Sequence, residues 1–262
     1  MSRTLAALAA LTLSLPAASR AAEVKTQVLE YRAGDAALEG WLARDASSSK
    51  PRPGVIVVPD WMGVGPNPKR RAEQLAGMGY VALVADVYGK GVRPKDGKEA
   101  GALAGKYRSG DRAELRARMA AALDAIRKTP GVDPDRIAVI GYCFGGSAAL
   151  ELARSGADVK GVVTFHGGLA PGTAPSSPVK AKVLVLHGAD DPFVTPAEVS
   201  AFEDEMRKAG VDWELVKYSG AVHSFTIPDA GNDNSKGAAY NAVADRRSFE
   251  AMKAFFAEIF PG

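Results

Sequence analysis

Residues 136–154, RIAVIGYCFGGSAALELAR, decide the architecture. RIAVI is a short β-branched run and SAALELAR reads as a helix. Between them three glycines, Gly141, Gly145 and Gly146, flank Cys143, the only cysteine in the chain. Glycine lets the chain turn sharply and lets a helix approach a strand closely. A thiol on such a turn faces outward at the carboxyl end of a strand, where sites in parallel α/β sheets lie. The start of the following helix favours a thiolate, and the Phe144 N–H offers half of an oxyanion hole. The competing reading is a small apolar residue packed near a tight turn, because free cysteine is among the most buried residue types. The turn alone leaves both open.

Outward from that turn, strands and helices alternate. Residues 28–32 and 37–43 read as a hairpin turning at Gly34-Asp35. Val55–Val58 is a buried strand, PKRRAEQLAGMG a helix and YVALVAD the next strand. The polar, glycine-rich stretch 89–110 is expected to be an irregular excursion, and residues 111–129 an amphipathic helix that stops before Pro130. GVVTFHG, KVLVLHG and WELVKYSG are strands; TPAEVSAFEDEMRKAG and the segment from Ala239 to Phe260 are helices. This alternation implies right-handed βαβ crossovers and an α/β fold with a mostly parallel central sheet flanked by helices on both faces. With no internal repeat and no linker, residues 23–262 read as one domain.

At 262 residues and 47% hydrophobic, the chain can bury a large core. A formal charge of +3 without interleaved basic and aromatic residues excludes a nucleic-acid partner. One cysteine excludes an intramolecular disulfide framework and a thiolate metal cluster. The three histidines lack zinc-protease spacing, and no metal or organic cofactor is expected. Residues 1–22 read as a secretory signal peptide: one arginine, an apolar stretch from Leu5 to Leu15, then Pro16 and small residues. The apolar stretch is shorter than the ~20 residues that span a bilayer. The mature protein is therefore expected in the periplasm or outside the cell, off the membrane and monomeric.

A nucleophilic thiol needs a base and a carboxylate to orient that base. His223 follows the last strand in SGAVHSF, and HGADDPFVTP carries Asp190 and Asp191 at the top of the strand before it. Together VIVVPDWMG, YVALVADVYGKG, GYCFGG, HGADDPFVTP and AVHSF, in this order from about Leu38 to Phe260, resemble the dienelactone hydrolase family, a cysteine-using branch of the α/β-hydrolases. The resemblance implies an α/β-hydrolase fold and cleavage of a small ester or lactone, with Cys143 as nucleophile, His223 as base and Asp191 as orienting acid; Asp190 is the rival acid. It implies that Asp60 stands where the family has a carboxylate pairing with the resting thiol, against a plain loop carboxylate. The Trp61 N–H would be the second oxyanion donor. Two arginines that grip a substrate carboxylate in the family fall at Lys90 and Ile227, so that specificity does not carry over. Lys90 and His166 are possible substrate contacts, His166 being equally readable as satisfied by loop backbone, and His187 is read as structural. The alternatives are a thioesterase or another activated-acyl hydrolase on the same fold, and a non-catalytic binding or redox-sensing protein using Cys143.

Overall fold

The computed structural model describes residues 22–47, 50–174 and 176–261; the leader expected at residues 1–22 lies, but for its last residue, outside them. Eight strands form one sheet in the order β1-β2-β4-β3-β5-β6-β7-β8. They are β1 (Val24–Ala33), β2 (Ala36–Asp45), β3 (Arg52–Val58), β4 (Val81–Val84), β5 (Val132–Tyr142), β6 (Gly161–Phe165), β7 (Lys182–Gly188) and β8 (Trp213–Tyr218). The expected hairpin β1–β2 pairs antiparallel, and β2 lies antiparallel to β4. The strands from β4 across to β8 are all parallel.

Among the described residues six α-helices cover the sheet: α1 (Pro66–Gly77), α2 (Gly97–Arg108), α3 (Ala113–Arg127), α4 (Phe144–Arg154), α5 (Pro196–Ala209) and α6 (Ala242–Ile259). Alternate residues of a strand point to opposite faces. In β3 this sends Val55 and Val57 into a core with Leu75 of α1 and Met252 and Phe256 of α6. Ile56 and Val58 join the opposite core with Met119 of α3, Leu150 of α4 and Phe202 of α5. Because both faces are covered, the central strands are apolar throughout instead of alternating.

Stretch 89–110 departs from expectation, because it contains α2. Asp96 caps this helix by accepting from the Lys98 and Glu99 N–H groups, while Glu99 reaches back to the Lys95 N–H. Gly97 and Gly101, which weaken the helical signal in the sequence, lie one turn apart beneath the Trp61 indole; a Cβ at either would stand 3.6–3.8 Å from that ring. Residues larger than alanine would displace it.

Helix α4 is buried along its length, charged residues included. Buried charge persists only when paired. Glu151 meets Arg112, Arg116 and Arg154 at 3.1, 2.8 and 3.5 Å, and Arg154 also meets Glu205 at 2.7 Å. The chain leaves β3 toward β4 on one side and returns to β5 on the other. The crevice at such a reversal is where ligands bind in open α/β sheets. Asp60 and Cys143 follow its two strands.

Candidate active site

Cys143 stands between β5 and α4 with φ 52° and ψ −116°, a left-handed-side conformation that L-residues avoid. Its neighbours make it possible. Gly141 lies within the sheet, paired with Val58 on one side and Thr164 on the other. A Cβ on Gly141 would come within 2.0 Å of the Gly145 carbonyl oxygen, and one on Gly145 within 2.2 Å of that of Val58. The glycines are required because α4 starts in backbone contact with β3 and β5. Strain of this kind costs about 1–3 kcal/mol and collects at functional sites.

Three side chains from three strand ends meet above this turn. The His223 Nε2 lies 3.0 Å from the Cys143 Sγ, and its Nδ1 lies 2.8 Å from Asp191 Oδ2. Asp191 is buried, and its other oxygen accepts from the Phe193 N–H, which fixes the carboxylate. Asp190 is turned away and accepts instead from the Gly220 N–H. Burial pushes the His223 imidazole down, but its bonds to Asp191 and to Cys143 outweigh that and raise it to about 10. Both bonds favour the protonated form of the imidazole.

The two amides expected to receive an oxyanion are those of Phe144 and Trp61. Phe144 is the first residue of α4, so its N–H has no intrahelical acceptor. At the end of β3, Asp60 accepts from the Met62 N–H through its carboxylate and from the Gly63 N–H through its carbonyl. Within that turn this leaves the Trp61 N–H unused. The turn is braced by Tyr88, whose hydroxyl donates to the Trp61 carbonyl at 2.9 Å and whose ring stacks on Phe144.

The sequence profile of the dienelactone hydrolase family matches residues 38–260. The chain belongs to the dienelactone hydrolase family. It is 42% identical to a dienelactone hydrolase-like promiscuous phosphotriesterase, P91, from metagenomic libraries, which covers 90% of this chain and 98% of that one at a TM-score of 0.86. An uncharacterised Caenorhabditis elegans protein is 34% identical over 152 residues, 56% of this chain and 95% of its own. A dienelactone hydrolase from Anabaena variabilis, 22% identical with a TM-score of 0.61 over 88% of this chain and 98% of that one, shares the fold.

Three of the expected site residues stand apart from the Asp191–His223–Cys143 chain. Asp60 is buried and hydrogen-bonded to the Met62 N–H, with no bond to the Cys143 thiol; burial raises its carboxyl above the usual range, the Met62 N–H partly offsetting this. The Lys90 amine, a possible substrate contact by sequence, is drawn to Glu30 on β1, at 2.7 Å, along an exposed edge. His166, the other possible contact, is wholly buried and bonded through Nε2 to Thr226 Oγ1 at 2.8 Å. Ile227, where an arginine would stand, is half-buried and offers no charge. His187 is buried at the end of β7 with no hydrogen bond to Cys143, His223 or Asp191.

Sequence reasoning missed four residues at the site. Tyr88 braces the Asp60–Trp61 turn. The Phe193 ring, 60% exposed, stands edge-on to His223 at a centroid distance of 5.4 Å. Thr226 and Arg71 lie behind the histidine: Arg71 donates to the Thr226 carbonyl and pairs with Asp245 of α6. Arg71 had a signal in the sequence, since on a helical wheel it falls with Ala72, Leu75 and Ala76 on the apolar face of α1.

Proposed function

We propose that this hydrolase cleaves small uncharged esters or lactones by covalent catalysis, with Cys143 as nucleophile, His223 as acid–base and Asp191 as orienter. The observation that carries the proposal is the continuous chain from Asp191 through His223 to the Cys143 sulfur, at 2.8 and 3.0 Å. The thiolate attacks the acyl carbon, and the Phe144 and Trp61 amides receive the developing oxyanion. When the intermediate collapses, the C–O bond breaks and the His223 imidazolium gives its proton to the departing alkoxide. His223, now neutral, takes a proton from water. The resulting hydroxide attacks the thioester, releasing the acid and restoring the thiolate–imidazolium pair.

The preference for uncharged substrates rests on the rim. Trp61 and Met62 in the turn after β3, and Phe193 edge-on to His223 after β7, are exposed at 42%, 37% and 60%. Exposed large apolar groups gathered at a crevice mark a binding surface. Of the two positions that would grip a carboxylate, Lys90 is engaged with Glu30 and Ile227 is apolar. A second reading, phosphotriester cleavage by the same thiolate, draws support from the likeness to P91. The leader read at residues 1–22 makes export to the periplasm part of the proposal, checked by N-terminal sequencing of the protein from a periplasmic fraction.

Hydrolysis of p-nitrophenyl acetate, p-nitrophenyl butyrate and a dialkyl p-nitrophenyl phosphate by the wild type, Cys143→Ala and His223→Ala tests both readings. Both variants should lose the carboxylic-ester activity. Equal rates in all three proteins would remove the mechanism, and turnover of the phosphate alone would favour the second reading.

A further inference from the structure

His223 stands directly before a tight turn, Ser224–Ile227, which the Ile227 N–H closes by donating to the Ser224 carbonyl, and Ser224 has φ 59°. Serine gains nothing from that left-handed conformation, so the turn is held by what surrounds it. The His223 N–H donates to the Gly237 carbonyl, the Ala239 N–H donates to the His223 carbonyl, and the Asn241 N–H to that of Phe225. These bonds fix the backbone on the side of residues 237–241. From α1, Arg71 donates to the Thr226 carbonyl. From the sheet, the Thr226 side chain is met by His166, whose Nε2 lies 2.8 Å from Thr226 Oγ1. Thr226 and His166 are both fully buried. His166 also has positive φ, 41°, and its own N–H is tied to the Leu186 carbonyl of β7 at 2.8 Å. Its ring stands edge-on to His223, 5.3 Å between centroids, and to Phe225 at 5.0 Å. A path of short bonds therefore runs from the sheet, through His166 and Thr226, to the residue three positions beyond His223.

We infer that His166 and Thr226 are positioning residues for His223: their buried hydrogen bond fixes the strained turn that aims the His223 imidazole at the Cys143 sulfur. The inference rests on the Cys143–His223 pairing in the proposed function.

The charge state required of His166 is consistent with its surroundings. Facing it are His223 from the turn after β8, Arg71 from α1, Tyr142 from β5 and His187 from β7. Among the described residues no carboxylate is bonded to the ring. Burial and then the charge of His223 hold it well below the ordinary histidine range. The neutral ring has one proton to place. With that proton on Nε2 the ring donates to Thr226 Oγ1, and Nδ1 is met by no side chain among the described residues. A cation at this position would oppose formation of the imidazolium at His223.

The experiment follows the second-order rate of iodoacetamide alkylation at Cys143 across the acid and neutral range, with thermal unfolding measured beside it. This readout reports the thiolate–imidazolium pair without needing a substrate. The proteins are the wild type, His223→Ala, His166→Phe, His166→Gln and Thr226→Val. Phenylalanine fills the histidine volume without a polar atom; glutamine places a donor near the Nε2 position. His166→Phe and Thr226→Val should slow alkylation near pH 6 roughly tenfold and move its acid limb upward, as expected when a reacting group is displaced by a fraction of an ångström or more. His166→Gln should recover most of that loss. Should His166→Phe fail to fold, Thr226→Val, which removes one hydroxyl at constant shape, carries the test. If these variants lose thermal stability but keep the wild-type pH profile, the two residues are structural only and the inference falls. If His223→Ala itself leaves the profile unchanged, the Cys143–His223 pairing is the part that fails.

Discussion

The two sides of His223 are built in opposite ways. Behind it, facing the protein interior, stand polar groups: His166 and Thr226, with Arg71 and Asp245 beyond them. On the solvent side stand exposed apolar groups: Phe193 directly on the ring, with Met62 and Trp61 in the turn after β3. A globular protein ordinarily places these the other way round. The contrast separates two tasks. Directional, buried hydrogen bonds set where the imidazole points, since an unpaired buried polar group is costly and a paired one is fixed. Non-directional apolar contacts set what enters, and their exposure is tolerated because substrate covers them. On this account damage behind His223 alters the pH dependence and rate of the thiol, and damage in front alters substrate affinity.

The largest expected effect breaks the contrast at its centre. Cys143→Ala or His223→Ala should lower kcat/KM for p-nitrophenyl acetate by about 10³-fold or more, as loss of a nucleophile or its base does elsewhere. Next comes the carboxylate pair. Asp191→Asn should cost about 10²–10⁴-fold in kcat, because an amide cannot hold the imidazolium or enforce its tautomer. Asp190→Asn, which touches only the Gly220 N–H, should stay within about twofold of the wild type, since surface changes away from the site are nearly neutral. Steady-state kinetics on the two variants decides which aspartate acts.

In front of the histidine, Trp61→Ala should raise KM for aromatic esters by roughly fivefold to tenfold, the loss of an aromatic contact worth about 1 kcal/mol, with kcat little changed. A fall in kcat alone would show that the rim serves the chemistry and would blur the distinction drawn above.

Stability should also depend on pH through His223. Its folded value, about 10, lies above the unfolded value near 6.5. The stabilisation from the imidazolium is thus fully present below pH ~6.5 and lost as the pH climbs through about 10. The difference in unfolding midpoint between the wild type and His223→Ala should shrink over that window in urea titrations.

The smallest effect belongs to Asp60. Burial raises its carboxyl, so its ionised form opposes folding above that raised value. Asp60→Asn can keep the bond from the Met62 N–H and should stabilise the neutral-pH protein by at most about 1 kcal/mol. It should leave alkylation of Cys143 within about twofold of the wild type, because no bond joins the two side chains. A large change in alkylation would restore a direct role for Asp60 at the thiol.

Much of this architecture is legible in the amino-acid sequence. β-Branched runs alternating with helical patterns are a strong local signal, and they mark the parallel sheet, the hairpin edge and the position of Cys143 between β5 and α4. Chain order and the HGADDPFV and AVHSF segments bring His223 and an aspartate to the same end of the sheet. Helix α2 is hidden because its glycines, placed beneath Trp61, lower helix propensity for a tertiary reason. The partners of Lys90 and His166 are hidden for a related one: which way a side chain turns at a strand end depends on neighbours distant in sequence. Glu30 is 60 residues from Lys90, and Thr226 is 60 from His166. The choice between Asp190 and Asp191 likewise needs the backbone path, which presents one carboxylate inward and its neighbour to Gly220.

The most direct measurement is peptide mapping of the protein quenched in acid during turnover of p-nitrophenyl acetate. The account predicts one acetyl group, carried as a thioester on Cys143, absent from Cys143→Ala and slow to discharge when water attack is impaired in His223→Ala. Acetyl found on another residue, or undiminished turnover by Cys143→Ala, would contradict it.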